Sequence, residues 1–109
     1  MNNLPETVTQ ALAEFKEQLS ELYGDRLVWI VLYGSFARGD FQHGSDVDIA
    51  VVLRGEVRIG EEMERLSPIA GEISLRYGLV LSALPLPETW WQERQSPLLL
   101  NLRREGVAL

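Results

Sequence analysis

GSFARGDFQHGSDVDIAVVL, residues 34–53, sets three glycines, an arginine and the aspartates Asp46 and Asp48 between two apolar runs. The run that ends it, Val47–Leu53, and the run before it, Leu27–Tyr33, are rich in β-branched and other apolar residues with little polar alternation. That composition predicts two strands covered on both faces. The polar cluster is therefore the connection between two buried strands, and its chemistry sits at strand ends.

Working outward, Val8, Leu12, Phe15, Leu19 and Leu22 recur at helical spacing from Pro5 to Tyr23, with Gly24 placed to cap. Residues Ile59, Met63, Leu66, Ile69, Ala70, Ile73 and Tyr77 follow the same period, interrupted by Ser67 and Pro68. One kinked helix or two shorter ones satisfy that pattern. A third strand is expected over Leu79–Leu84, ended by Pro85 and Pro87, then a short helix over Glu88–Arg94 and a last one from Ser96 and Pro97 to Gly106. The order αββαβα, without linker or repeat, predicts a single α+β (two-layer α/β) domain over residues 1–109, a small β-sheet with helices packed on it.

Composition narrows the chemistry. The chain has 109 residues, no cysteine, one histidine and a formal charge of −6. Thiolate and imidazole-rich metal sites are excluded, so any metal is held mainly by oxygen. The negative charge argues against long nucleic acid as a partner. Apolar runs are too short for a membrane span and no basic leader precedes Lys16, so a soluble cytoplasmic protein is expected.

Within the cluster, Gly34 lets the backbone turn and approach a ligand, Ser35 offers a hydroxyl and an N–H, and a helix starting there would aim its positive end at an anion. Arg38 adds a planar donor fork for phosphate oxygens. Asp46 and Asp48, two residues apart at a strand start, project to one face. Side by side they repel, and a shared hard cation such as Mg²⁺ removes that penalty. Gly44 and Ser45 supply the turn into the strand.

Gly34-Ser35-Phe36-Ala37-Arg38-Gly39 followed by Ser45-Asp46-Val47-Asp48-Ile49 resembles the signature of the DNA polymerase β-like nucleotidyltransferase superfamily. The short chain and its closing Asn101-Leu102-Arg103-Arg104-Glu105-Gly106-Val107 look like the minimal nucleotidyltransferases, often antitoxin partners of HEPN-domain toxins. The resemblance implies a polymerase β palm-like fold with a small mixed β-sheet, with Gly34, Ser35, Arg38 and Ser45 at the nucleotide, and Asp46 and Asp48 binding catalytic Mg²⁺. It also implies transfer of AMP from ATP to a hydroxyl of a toxin partner. A homo-oligomer is compatible with the same reading.

The superfamily usually places a third acid on a later strand, and the matching position here is Ser82. A hydroxyl is a poorer Mg²⁺ ligand and no base, so nucleotide binding is expected to survive better than hydroxyl activation; Glu72 is a candidate substitute, but its place on the preceding helix gives no reason to expect the right geometry. The alternative reading is a catalytically weak or inactive module that neutralises a toxin by binding it. Transfer to a small molecule is a third, for which the chain is short. His43, Asp40, the Trp90–Trp91 pair and Arg103–Arg104 are read as ordinary surface, loop-capping, packing and helix-end residues.

Overall fold

The computed structural model describes residues 4–109. Its elements run α1 (Glu6–Tyr23), β1 (Leu27–Tyr33), α2 (Ser35–Arg38), β2 (Val47–Leu53), α3 (Ile59–Tyr77), β3 (Leu81–Pro87), α4 (Glu88–Glu93), α5 (Pro97–Glu105) and β4 (Val107–Ala108), with a 3-10 turn at Gly24–Arg26. The sheet order is β3-β2-β1-β4. β1 is antiparallel to β2 and β4, while β2 and β3 are parallel, so the sheet is small and mixed as expected.

β2 carries the architecture because both of its faces are covered. Val47, Ile49, Val51 and Leu53 pack with Phe15 and Leu19 of α1 and Leu66 and Ile73 of α3. The alternate residues Ala50 and Val52 pack on the other face with Val31, Leu86, Leu99 and Leu102, beneath α5. A strand buried on both sides cannot alternate in polarity. β1 meets that expectation at Ile30–Leu32 but not at Trp29, which is 46% exposed.

The structure resolves one alternative that the sequence left open, and two elements differ from the sequence reading. The interruption at Ser67-Pro68 does not split the helix, and Pro68 lies inside α3. Pro68 and Glu64, whose carbonyl loses its partner, are both exposed, so water can replace the missing donor. The third strand starts at Leu81 and runs through Pro85 and Pro87 instead of stopping before them. It is an edge strand, and two prolines spaced by two put their missing N–H groups on one side, here the side away from β2. Finally, β4 had no sequence signal: two residues are too few to show a period.

Helix ends follow the expected chemistry more closely. The Ser96 side chain accepts the Leu99 N–H at 3.4 Å with Pro97 in the first turn of α5. Gly24 closes α1 at φ 53°. Trp90 and Trp91 are both half-buried against the second core, and the Arg94 guanidinium lies 3.7 Å over the Trp90 ring. Arg103 does more than complement a helix dipole, since it donates to the carbonyls of Trp91 at 2.6 Å and Arg94 at 2.7 Å and so ties α5 to α4. No helix among the described residues is long and apolar enough to cross a membrane.

One buried acid locks α1 to α3. Glu62, 2% exposed, accepts from the Tyr23 hydroxyl at 2.8 Å, from Arg65 at 3.1 Å and from Arg26 at 3.3 Å. Burial pushes its carboxyl up, but the Tyr23 hydrogen bond and the two arginines outweigh that and hold it below the usual carboxylate range. Glu62→Ala is expected to lower stability by about 2 kcal/mol, because it strands the buried Tyr23 hydroxyl while the partly exposed Arg26 and Arg65 can turn to water, and Tyr23→Phe by about 1 kcal/mol. A depressed carboxylate stabilises above its unfolded value, and that contribution is lost as pH falls through the folded one. The gap in Tm between wild type and Glu62→Ala should therefore narrow in acid; a gap that stays constant would mean that the charge of the Glu62 carboxylate is not its source.

Candidate active site

The site is built where β1 ends beside the start of β2. Gly34 follows β1 at φ 74°, ψ −156°, a backbone region closed to residues with a Cβ. A Cβ at this position would collide with Asp48 Oδ2 and lie 3.2 Å from Asp48 Cγ and 3.3 Å from Asp48 Cβ. The loop read as the phosphate cradle is thus pressed directly on the carboxylate read as the metal ligand. Tyr33 and Asp48 are cross-strand partners, which completes the contact from β1.

Asp48 points away from α1 and α3. Its neighbours Val47 and Ile49 are fully buried in the core on that side, and alternation sends Asp46 and Asp48 to the opposite face. Burial first, then the charge of Asp46, push the Asp48 carboxyl above its ordinary value, with Arg38 opposing. The Tyr33 hydroxyl is likewise pushed up by burial and by Asp48. A pair of facing carboxylates in which one resists ionisation is the electrostatic condition that a divalent cation relieves. The donor set is all oxygen, which suits a hard ion.

The helix expected after Gly34 is a single turn of four residues, so it contributes individual N–H groups rather than a dipole. Phe36 is its anchor, buried and stacked on Phe41 at 4.4 Å between ring centroids, which folds the 39–45 loop back over α2. Arg38 closes the turn, with Nε 3.1 Å from Asp40 and one terminal nitrogen 3.2 Å from Glu105. The Asp40 side chain, read as a loop cap, pairs with Arg38, and only its backbone N–H bonds locally, to the Ser35 carbonyl. Ser45 spends its hydroxyl oxygen on the turn, accepting the Gln42 N–H at 2.8 Å while its own N–H donates to the Gln42 carbonyl. The structure gives it a turn-closing part.

Glu105 is the residue that sequence reasoning missed here. One of its oxygens accepts both the Gly34 N–H at 3.3 Å and the Arg38 guanidinium. An acid closing a helix opposes the local dipole, and that mismatch was the available signal.

Ser82 lies opposite Asp48 in the parallel register of β2 and β3, at the position expected for a third acid. Among the described residues no group of three histidines, cysteines or acids could hold a metal ion. Glu72 does not fill the gap: it is exposed on α3 and bound to Arg76, which also bridges to Glu14 of α1. His43 is exposed in the loop.

A groove of about 1160 Å³ opens between the start of α1, the 41–45 loop, α3 and the start of β3. Its rim carries Met63, Val80 and Leu75, the last 87% exposed. It lies on the α1–α3 side of the sheet and is lined near the strand starts by Ser45 and Ser82, neither aspartate being among its lining residues.

With this geometry in place, the residue pattern of the family described as "Nucleotidyltransferase domain" matches residues 12–97. The chain belongs to that family. It is 32% identical over 82 residues to "Putative protein adenylyltransferase MJ0141" of Methanocaldococcus jannaschii, covering 75% of this chain and 82% of that one. Among solved structures, one titled "Structure of putative minimal nucleotidyltransferase" aligns over all of both chains with a TM-score of 0.62 at 21% identity. A toxin–antitoxin structure with AMP-PNP aligns over 86% of this chain and 68% of that one, with a TM-score of 0.61 at 18% identity. The fold of this nucleotidyltransferase is shared with both.

Proposed function

We propose that this nucleotidyltransferase transfers AMP from ATP to a hydroxyl of a partner protein, a HEPN-domain toxin for which it serves as antitoxin. The observation that carries the reading is the contact between Gly34 and Asp48, which leaves no gap between the phosphate loop and the paired carboxylates. The relative named for protein adenylylation and the neighbour whose title names AMP-PNP and a toxin–antitoxin pair support the choice of donor and acceptor.

In this reading Ser35 and Arg38 bind and orient the β and γ phosphates of ATP, while Asp46 and Asp48 would hold Mg²⁺. When bound, that cation neutralises charge on the transferring phosphoryl group and aligns it for in-line displacement. The acceptor hydroxyl gives up its proton to solvent, its oxygen forms a bond to the α phosphorus, the bond from that phosphorus to the α–β bridging oxygen breaks, and pyrophosphate leaves. Asp48, hemmed in by Gly34 and Tyr33, keeps its carboxylate fixed as this happens. The exposed apolar rim of the groove supports a protein acceptor over a small molecule, because it offers a face to pack.

The neutralising binder remains as a second reading because Ser82 stands where a base is expected. Intact mass of the protein encoded beside this one, after incubation with this chain, ATP and Mg²⁺, separates the two. A gain of one or more AMP units, absent with Asp46→Asn, is the expected result. A complex that forms with no mass gain would overturn transfer in favour of binding alone.

A further inference from the structure

Glu105 reaches the phosphate loop from the far end of the chain, and the route by which it does so is tightly built. α5 ends at Glu105, and the chain turns at Gly106 into β4, which pairs with β1 through Leu32–Val107 and Val31–Ala108. A Cβ on Gly106 would collide with the Leu102 carbonyl oxygen and the Val31 side chain, although its φ of −67° suits any residue. Space rather than backbone freedom therefore demands glycine there. The Leu109 N–H donates to the Ile30 carbonyl at 2.8 Å and fastens the last residue beside the same strand. The corner from α5 to β4 is thereby fixed to the strand that delivers Gly34.

Two donors meet at this carboxylate. The Gly34 N–H, once committed to Glu105, has no second hydrogen for a ligand, so the neighbouring Ser35 becomes the residue that offers an N–H and a hydroxyl to phosphate. Arg38 has five N–H groups and gives one nitrogen to Glu105 and Nε to Asp40. Its remaining donors are held in one orientation by acids on two sides. An exposed arginine, 45% accessible at its side chain, would otherwise sample many rotamers.

We propose that Glu105 is a positioning residue for the triphosphate: by bracing the Gly34 N–H and the Arg38 guanidinium, the α5–β4 corner sets the phosphate-binding geometry. The inference rests on the nucleotide reading above. It makes the C-terminal segment part of the nucleotide site without touching nucleotide itself.

The test is the binding of ATP and of AMP to wild type, Glu105→Gln and Glu105→Ala, with Tm recorded for each. Glu105→Ala is expected to weaken ATP about tenfold, with AMP changed less than about twofold because it lacks the β and γ phosphates that the braced donors serve. Glu105→Gln keeps an acceptor oxygen and should fall between. Gly106→Ala, which leaves Glu105 intact but displaces the corner, should reproduce the selective loss of ATP.

Equal ATP affinity in Glu105→Ala would overturn the inference. Tighter ATP binding would overturn it too, by making the carboxylate a competitor of phosphate, and parallel loss of ATP and AMP would reduce Glu105 to a structural contact. A wild type that binds neither nucleotide would instead bring down the nucleotide reading on which the inference stands.

Discussion

Gly34→Ala is expected to reduce nucleotidyl transfer by about 10²-fold or more while the chain stays folded. Two penalties fall on the substitution. The φ of 74° with ψ of −156° costs a residue with a Cβ about 1–3 kcal/mol. The new methyl would also overlap Asp48 Oδ2, so either the loop or the carboxylate must move. The first penalty is small against the roughly 5–15 kcal/mol typical of a folded protein. The second acts on the reacting geometry, where displacement by about 1 Å can cost 10²-fold.

Gly55→Ala separates the two. Gly55 has φ 83°, yet a Cβ there meets nothing within 4 Å. Its substitution should lower Tm through backbone strain alone, by no more than Gly34→Ala does, and leave transfer near wild type. Measured together, the variants should diverge far more in rate than in Tm. If Gly34→Ala were as active as Gly55→Ala, Asp48 would not need its present position, and the assignment of the β1–β2 sheet end as the site would fail.

The bounds of β2 and the pairing of Asp46 with Asp48 were legible because both rest on local rules, unbroken apolar composition and alternation along a strand. A small sheet with helices packed on it was legible from the order of the elements, whereas its mixed strand directions came with the family resemblance. What escaped the sequence depends on neighbours. Pro85 and Pro87 end a strand by local rules, but the edge position of β3 lets them remain within it. Pro68 left one helix or two open by local rules, and the exposure of Pro68 and Glu64 lets the single helix tolerate the missing bond. The bracing of Arg38 by Glu105 joins residues 67 apart in the chain and becomes visible only when β4 docks beside β1. Ser45 was legible in its turn role, and its oxygen closes the turn that launches β2.

Ser82→Asp is the variant expected to gain. Ser82 is exposed and faces Asp48 across the parallel register, so an aspartate there joins Asp46 and Asp48 on one face of the sheet. If the position is that of the missing base, transfer to the acceptor hydroxyl should rise by about 10²- to 10⁴-fold, the range general bases usually supply. The same carboxylate adds repulsion to a pair in which Asp48 already resists ionisation, so Tm without metal should fall. Mg²⁺ should then raise Tm more in the variant than in wild type, because a cation has a third acid to neutralise. The two readouts check each other. A larger Mg²⁺-dependent rise in Tm without faster transfer would mean that the introduced carboxylate reaches the cation but not the acceptor hydroxyl. No change in either would mean that the register brings Ser82 beside Asp48 without turning its side chain to the site. Faster transfer with the larger Tm shift would identify a nucleotidyltransferase whose rate is limited by one absent carboxylate.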